Sequence, residues 1–211
     1  MAETAAQSRE RPQLTLITPP AFELETFPER LALVLDSVEI ACLRLTLASK
    51  DEDVVLRAAD ACRVLAHARD VAIVIDTHVR LVERLGLDGV HLPDGTRNVR
   101  KARKDLGADA IVGAFCGASR HEGLSAGEAG ADYVAFGPIG ASPLGNGTQA
   151  EHELFAWWSE VIEVPVIAEG ALTRALVEHF APVTDFFAIG EEIWRQEDAV
   201  AALKDLIAPL G

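Results

Sequence analysis

The chain has no long apolar run, few cysteines and a shortage of positive charge. No stretch is long enough to span a bilayer, and the first residues lack the apolar core of a secretion signal, so a cytoplasmic protein is expected. The three cysteines, Cys42, Cys62 and Cys116, lie far apart within apolar runs. That spacing argues against a disulfide framework or a thiolate metal site and suits buried thiols in a reducing compartment. Lys and Arg number 19 against 33 Asp and Glu, a formal net charge of −14, and no basic stripe offsets it. Nucleic acid and anionic membrane surfaces are therefore not expected as partners. A glycine-rich phosphate turn after the first strand is also missing. Pro19-Pro20 stands there instead, which argues against a doubly wound open sheet.

What is present is a large apolar fraction, 49%, enough for a substantial core. It is divided into short blocks. Leu85-Gly86-Leu87-Asp88 leads into Gly89-Val90-His91-Leu92, and Ala129-Gly130-Ala131-Asp132 leads into Tyr133-Val134-Ala135-Phe136. Each unit reads as helix, glycine, aspartate, buried strand and polar exit. Further strands are expected at Leu14–Thr18, Glu39–Leu45, Val71–Ile75, Ala110–Phe115, Val164–Ala168 and Asp185–Ile189. Helical periodicity fills the gaps: Phe27–Asp36, about Lys50–Arg69 with Ser49 as cap, Val79–Leu85, Asn98–Leu106, Ser119–Ala129, Glu153–Glu160, Thr173–Phe180 and Ile193–Ile207. Eight alternations predict an α/β chain folded as a single (β/α)8 barrel over residues 13–211, after a polar tail at 1–12.

Such barrels place chemistry where strands end. Arg44, near the end of strand two, suits a phosphate or carboxylate, or a rim ion pair. Asp76 and His78 follow strand three, where Asp76 could bind a metal, accept from an amine or cap the next helix. His91 sits within strand four, where a hydrogen-bonded core histidine is the alternative to a catalyst. Asp94 lies in a Pro-Asp-Gly turn. Gly137 ends strand six and would allow close backbone approach to a ligand. Glu169-Gly170 ends strand seven and Gly190 follows strand eight, where barrels often hold a phosphate on backbone N–H groups. Here Glu169, Glu191 and Glu192 crowd that corner, a poor one for phosphate unless the acids point away.

These segments resemble the thiamine-phosphate synthase and thiazole tautomerase superfamily. The resemblance runs from Leu14 to about Ile193 and rests on Leu43-Arg44, Leu85–Leu92, Ile111-Val112-Gly113, Gly130–Ile139 and Pro165–Leu172. The Gly-Ala-Asp-Tyr-Val-x-Phe-Gly-Pro stretch is its most specific piece. It implies a (β/α)8 barrel, a homodimer, and a synthase that joins an aminomethyl-pyrimidine diphosphate to a thiazole phosphate with Mg2+, releasing pyrophosphate. The family's site residues are only partly kept. The family's strand-two lysine falls on Thr46, its two metal aspartates on Thr77 and Thr96, and its strand-five serine on Phe115. The tautomerase histidine falls on Gly117, the final Gly-Gly on Gly170-Ala171, and the phosphate-binding serine on Glu191. The Thr-x-Thr-Lys after strand six has no counterpart in Ala141–Gly147.

The reading drawn from this is a divergent member with a degenerate site and a changed small-molecule ligand, less anionic than a diphosphate, such as a cationic or neutral thiamine-related heterocycle. Two alternatives stand beside it. One is an active synthase with displaced metal ligands, for which Mg2+ is the only cofactor and Asp76 and Asp94, beside His78, the residues near enough to hold it. The other is a catalytically silent binding barrel, with Phe115 and Leu144 filling the mouth and Trp157-Trp158 packing a helix or meeting a partner.

Overall fold

The computed structural model describes residues 11–211. Its strands are β1 (Gln13–Ile17), β2 (Cys42–Leu45), β3 (Ala72–Asp76), β4 (Gly89–Leu92), β5 (Ile111–Phe115), β6 (Tyr133–Phe136), β7 (Val166–Glu169) and β8 (Phe186–Ile189). All pair in parallel in chain order, and β8 closes on β1, giving a (β/α)8 barrel. The helices between them are α1 (Phe27–Leu35), α2 (Glu52–His67), α3 (Val79–Leu85), α4 (Val99–Leu106), α5 (Arg120–Glu128), α6 (His152–Val161) and α7 (Arg174–Phe180), with α8 (Glu191–Trp194) and α9 (Ala199–Ile207) after β8. Of the expected polar tail, residues 1–10 lie outside the described residues.

Strand alternation divides the apolar side chains into two shells. Ala114, Val134, Phe136, Ala168, Phe187 and Ile189 face the helices and join the large outer core. Their neighbours Phe115, Ala135, Ile167 and Ala188 form a separate cluster inside the lumen, with Leu144 packed on it. The aspartate that recurs before β4, β6 and β8 has a physical role. Asp88 Oδ2 accepts from Ile73 N at 2.7 Å, Asp132 Oδ2 from Val112 N at 2.7 Å, and Asp185 Oδ2 from Val166 N at 2.8 Å. Each ties the start of one strand to the strand before it, at the barrel end opposite the mouth.

Two expected elements differ. The cap of α2 is Asp51, not Ser49: Asp51 Oδ1 accepts from Asp53 N and Val54 N, and Ser49 Oγ instead accepts from Asp51 N. A carboxylate two residues further on wins the cap because it reaches both free N–H groups. The closing helix Ile193–Ile207 is broken into α8 and α9. Asp198 accepts from Ala201 N and starts a new helix, while the apolar spacing runs on through both pieces. Trp194 anchors the first piece by donating Nε1–H to Ile17 O at 2.6 Å.

Candidate active site

The upper lumen holds polar side chains from five strands. Arg44 on β2 donates Nε–H to Asp76 Oδ1 at 2.8 Å and an NH2 proton to Asp76 Oδ2 at 3.3 Å. Its NH1 donates to Glu169 Oε2, on β7, at 2.8 Å. Thr46 Oγ1 donates to Asp76 Oδ2 at 2.9 Å. On β4, His91 shares a 2.9 Å hydrogen bond through Nδ1 with the Tyr133 hydroxyl of β6. The Tyr133 ring is seated over Gly113, where an added Cβ would lie 1.9 Å from Cζ. Two atoms of this set are buried with no partner: Glu169 Oε1 and His91 Nε2.

Burial and the single guanidinium set the protonation states. Burial pushes the Asp76 carboxyl up, but the Arg44 charge, His91, and the bonds from Arg44 and Thr46 hold it below its ordinary value. Burial pushes Glu169 up; Arg44 pulls it back, Asp76 adds repulsion, and the net shift is upward. Two carboxylates on one guanidinium are thus driven apart, Asp76 toward the anion and Glu169 toward the acid. Burial lowers His91 to about 3, with the Arg44 charge adding to it, so its imidazole is neutral. Burial raises the Tyr133 hydroxyl well above its ordinary value. The thiols are removed from any nucleophilic role, because burial raises Cys42, Cys62 and Cys116 to about 12.

Two of the cavities at the strand exits divide the expected site residues. A cavity of about 240 Å³ opens on the lumen and is lined by Arg44, Thr46, Glu169, Gly170, Gly190 and Glu192, among others. A larger one of about 670 Å³ lies over the β3 and β4 exits, where His78 and Asp94 line it with Lys50, Arg80 and Lys101. The expected grouping of Asp76, His78 and Asp94 is therefore not found. Asp76 has both oxygens committed to Arg44 and Thr46, His78 Nδ1 is bonded to the Asp76 carbonyl oxygen at 2.8 Å, and Asp94 Oδ2 accepts from Asn98 at 2.8 Å. His91 lines neither cavity. Gly137 also needs correction. An added Cβ there would stand 2.3 Å from the Glu169 carbonyl oxygen, so the close approach this glycine permits is to the β7 backbone, not to a ligand.

The three crowded carboxylates take three different partners. Glu169 reaches Arg44, Glu191 pairs with Arg195, and Glu192 lies on the backbone. Glu192 Oε1 accepts from Leu172 N at 3.1 Å and Oε2 from Gly190 N at 2.9 Å. Phe115 and Leu144 do meet in the lumen cluster. Trp158 is buried and donates to Val164 O at 2.7 Å, as helix packing requires, while Arg120 lies 4.0 Å over the Trp157 ring. Tyr133, Thr46 and the backbone role of Glu192 were not among the expected site features. The small Gly113 opposite Tyr133 is the signal that could have found the first.

A closed parallel barrel with its polar cluster at the strand exits defines the class: a (β/α)8 barrel. Within that class, the family model for thiamine monophosphate synthase matches residues 14–189, and the chain belongs to that family. It is 41% identical over 194 residues to the thiamine-phosphate synthase of Rhodospirillum centenum, covering 90% of this chain and 93% of that one. It is 36% identical to the thiamine-phosphate synthase of Erythrobacter litoralis, covering 99% of each. Among solved structures, a thiamine phosphate pyrophosphorylase from Pyrococcus furiosus superposes with a TM-score of 0.80 at 21% identity, covering 94% of this chain and 95% of that one, a likeness of fold.

The family resemblance implies Mg2+, and the donors here do not fit it. Both Asp76 oxygens are taken, Asp94 faces the other cavity, and among the described residues no group of three or more His, Cys, Asp or Glu could hold a metal ion. Among the described residues, no helix is long and apolar enough to cross a membrane.

Proposed function

We propose that this barrel forms thiamine phosphate at its lumen mouth, the reaction for which its relatives are named. The observation that carries this reading is end-to-end likeness: 36–41% identity over 90–99% of the chain to proteins with that name. That likeness supports activity over loss of activity, so the reading placed second from the sequence moves to first. The proposed ligand-facing residues are Arg44, Glu169, Gly170 and Gly190, with Asp76 and His91 holding the network beneath them. Asp76 fixes the guanidinium from below, and Glu169 Oε1, which has no partner in the protein, is left for a ligand to bond. The neutral His91 adds no charge.

One observation favours a second reading, a changed and less anionic ligand. Arg44 is the one cation among the described residues lining the mouth, and two carboxylates already occupy it. A departing pyrophosphate needs positive charge where its own charge develops. Incubation of the chain with pyrimidine diphosphate, thiazole phosphate and Mg2+, following pyrophosphate release and thiamine phosphate together, decides between them. The first reading expects both products in equal amounts. Folded protein with no turnover, binding an unphosphorylated pyrimidine or thiazole by calorimetry, establishes the second.

A further inference from the structure

In (β/α)8 barrels, the loops after strands seven and eight commonly hold an oxyanion on backbone N–H groups. Here that pair of loops is already holding one. The Glu192 carboxylate bridges them, one oxygen on Leu172 N at 3.1 Å and the other on Gly190 N at 2.9 Å. Two oxygens of one anion on two converging amides is the arrangement that a phosphate or carboxylate would adopt. Leu172 lies beyond Gly170-Ala171, where both residues have positive φ, +92° and +53°, and Gly190 directly precedes α8.

An independent observation marks the same cavity as a ligand site. Glu169 lines it, is 2% exposed, and has Oε1 without a partner. A buried polar atom left unpaired is costly unless something occupies the cavity beside it. Neighbouring charge does not draw a second anion in. Arg44 is bound to Asp76 and Glu169, and Glu191 and Glu192 line the rim.

We propose that Glu192 is a specificity-determining residue: its carboxylate fills the oxyanion seat of the mouth, and a ligand's phosphate binds only by displacing it. A phosphate monoester enters the seat only at the cost of moving Glu192 off both amides, so this residue sets how tightly the phosphate end of a ligand is held, while Glu169 Oε1 is left for a hydrogen bond from elsewhere on the ligand. The inference rests on the mouth being the ligand site, as in both readings above, and not on which reaction occurs there.

The probe is inorganic phosphate, titrated into the full chain by calorimetry and by amide NMR, comparing wild type with E192A and E192Q. The expected result is that E192A binds phosphate at least about tenfold more tightly than wild type, about 1.4 kcal/mol. The Leu172 and Gly190 amide resonances should then move on titration. E192Q keeps one acceptor oxygen and should fall between them. If E192A does not fold, E192Q carries the comparison, with a gain over wild type expected. A purely structural cap on α8 predicts instead that both variants lose stability and gain no phosphate affinity, which overturns the proposal. Equal affinity in wild type and variants overturns it as well. Thiamine phosphate formation measured on the same preparations separates the two claims. A gain in phosphate affinity without wild-type turnover leaves this inference standing and removes the synthase reading. Wild-type turnover with phosphate bound equally in all three proteins does the reverse.

Discussion

His91 is held neutral inside the lumen by burial and by the nearby Arg44 charge, at about 3 against an ordinary 6.5. Between those values the unfolded chain carries a proton there and the folded chain does not. Stability from this residue is therefore complete above about pH 6.5 and is lost on acidification, by at most about 1.4 kcal/mol per pH unit. Glu169 works in the opposite sense, because its raised value lets the folded state keep a proton that the unfolded state releases as pH rises. Comparing wild type with H91Q in urea unfolding at pH 7, 6 and 5 isolates the histidine. The variant should show a flatter acid dependence, and parallel profiles would count against a buried neutral His91. At this scale the sequence was only half legible. Arg44, Asp76 and Glu169 were visible as strand-end residues, and they do meet. That Asp76 serves Arg44 rather than a partnership with His78 and Asp94 depends on which way each exit turns, and no spacing in the sequence records that. The partner of Glu192 was hidden for a related reason: backbone N–H groups carry no side-chain signature.

Elements were easier to read, because burial on both faces writes each strand as a short apolar run between turns. Val79–Leu85, Gly89–Leu92 and Tyr133–Phe136 keep their expected bounds, since a helix-ending glycine or an aspartate marks their limits. The break between α8 and α9 was missed because apolar spacing continues across it, and Asp198 alone signals the new start. The aspartates before β4, β6 and β8 make a prediction at this level. Asp132 satisfies Val112 N and pairs with Arg103. Replacing it with alanine leaves a strand N–H unpaired and should cost about 2 kcal/mol, read as a lowered urea midpoint at unchanged slope. A loss below about 0.5 kcal/mol would mean that the strand start finds another acceptor.

For the whole molecule, closure of β8 on β1 removes every exposed strand edge from the sheet. Cys62 and Cys116 lie buried in the outer core on different sectors of that closed shell, with thiols raised to about 12. At pH 8 neither should react with an aromatic disulfide reagent in the folded protein. Both should become reactive with the same denaturant dependence, since a closed shell opens as one unit. Cys116 follows β5 at the mouth, so its earlier reaction would reveal separate opening of that end.

The carboxylate latches of Asp88, Asp132 and Asp185 all lie at the floor of the barrel, remote from Glu192 and Arg44. Load-carrying and ligand choice are thereby assigned to opposite rims. Loops at the upper rim can be exchanged by an engineer seeking new substrates while the thermal midpoint is guarded from below.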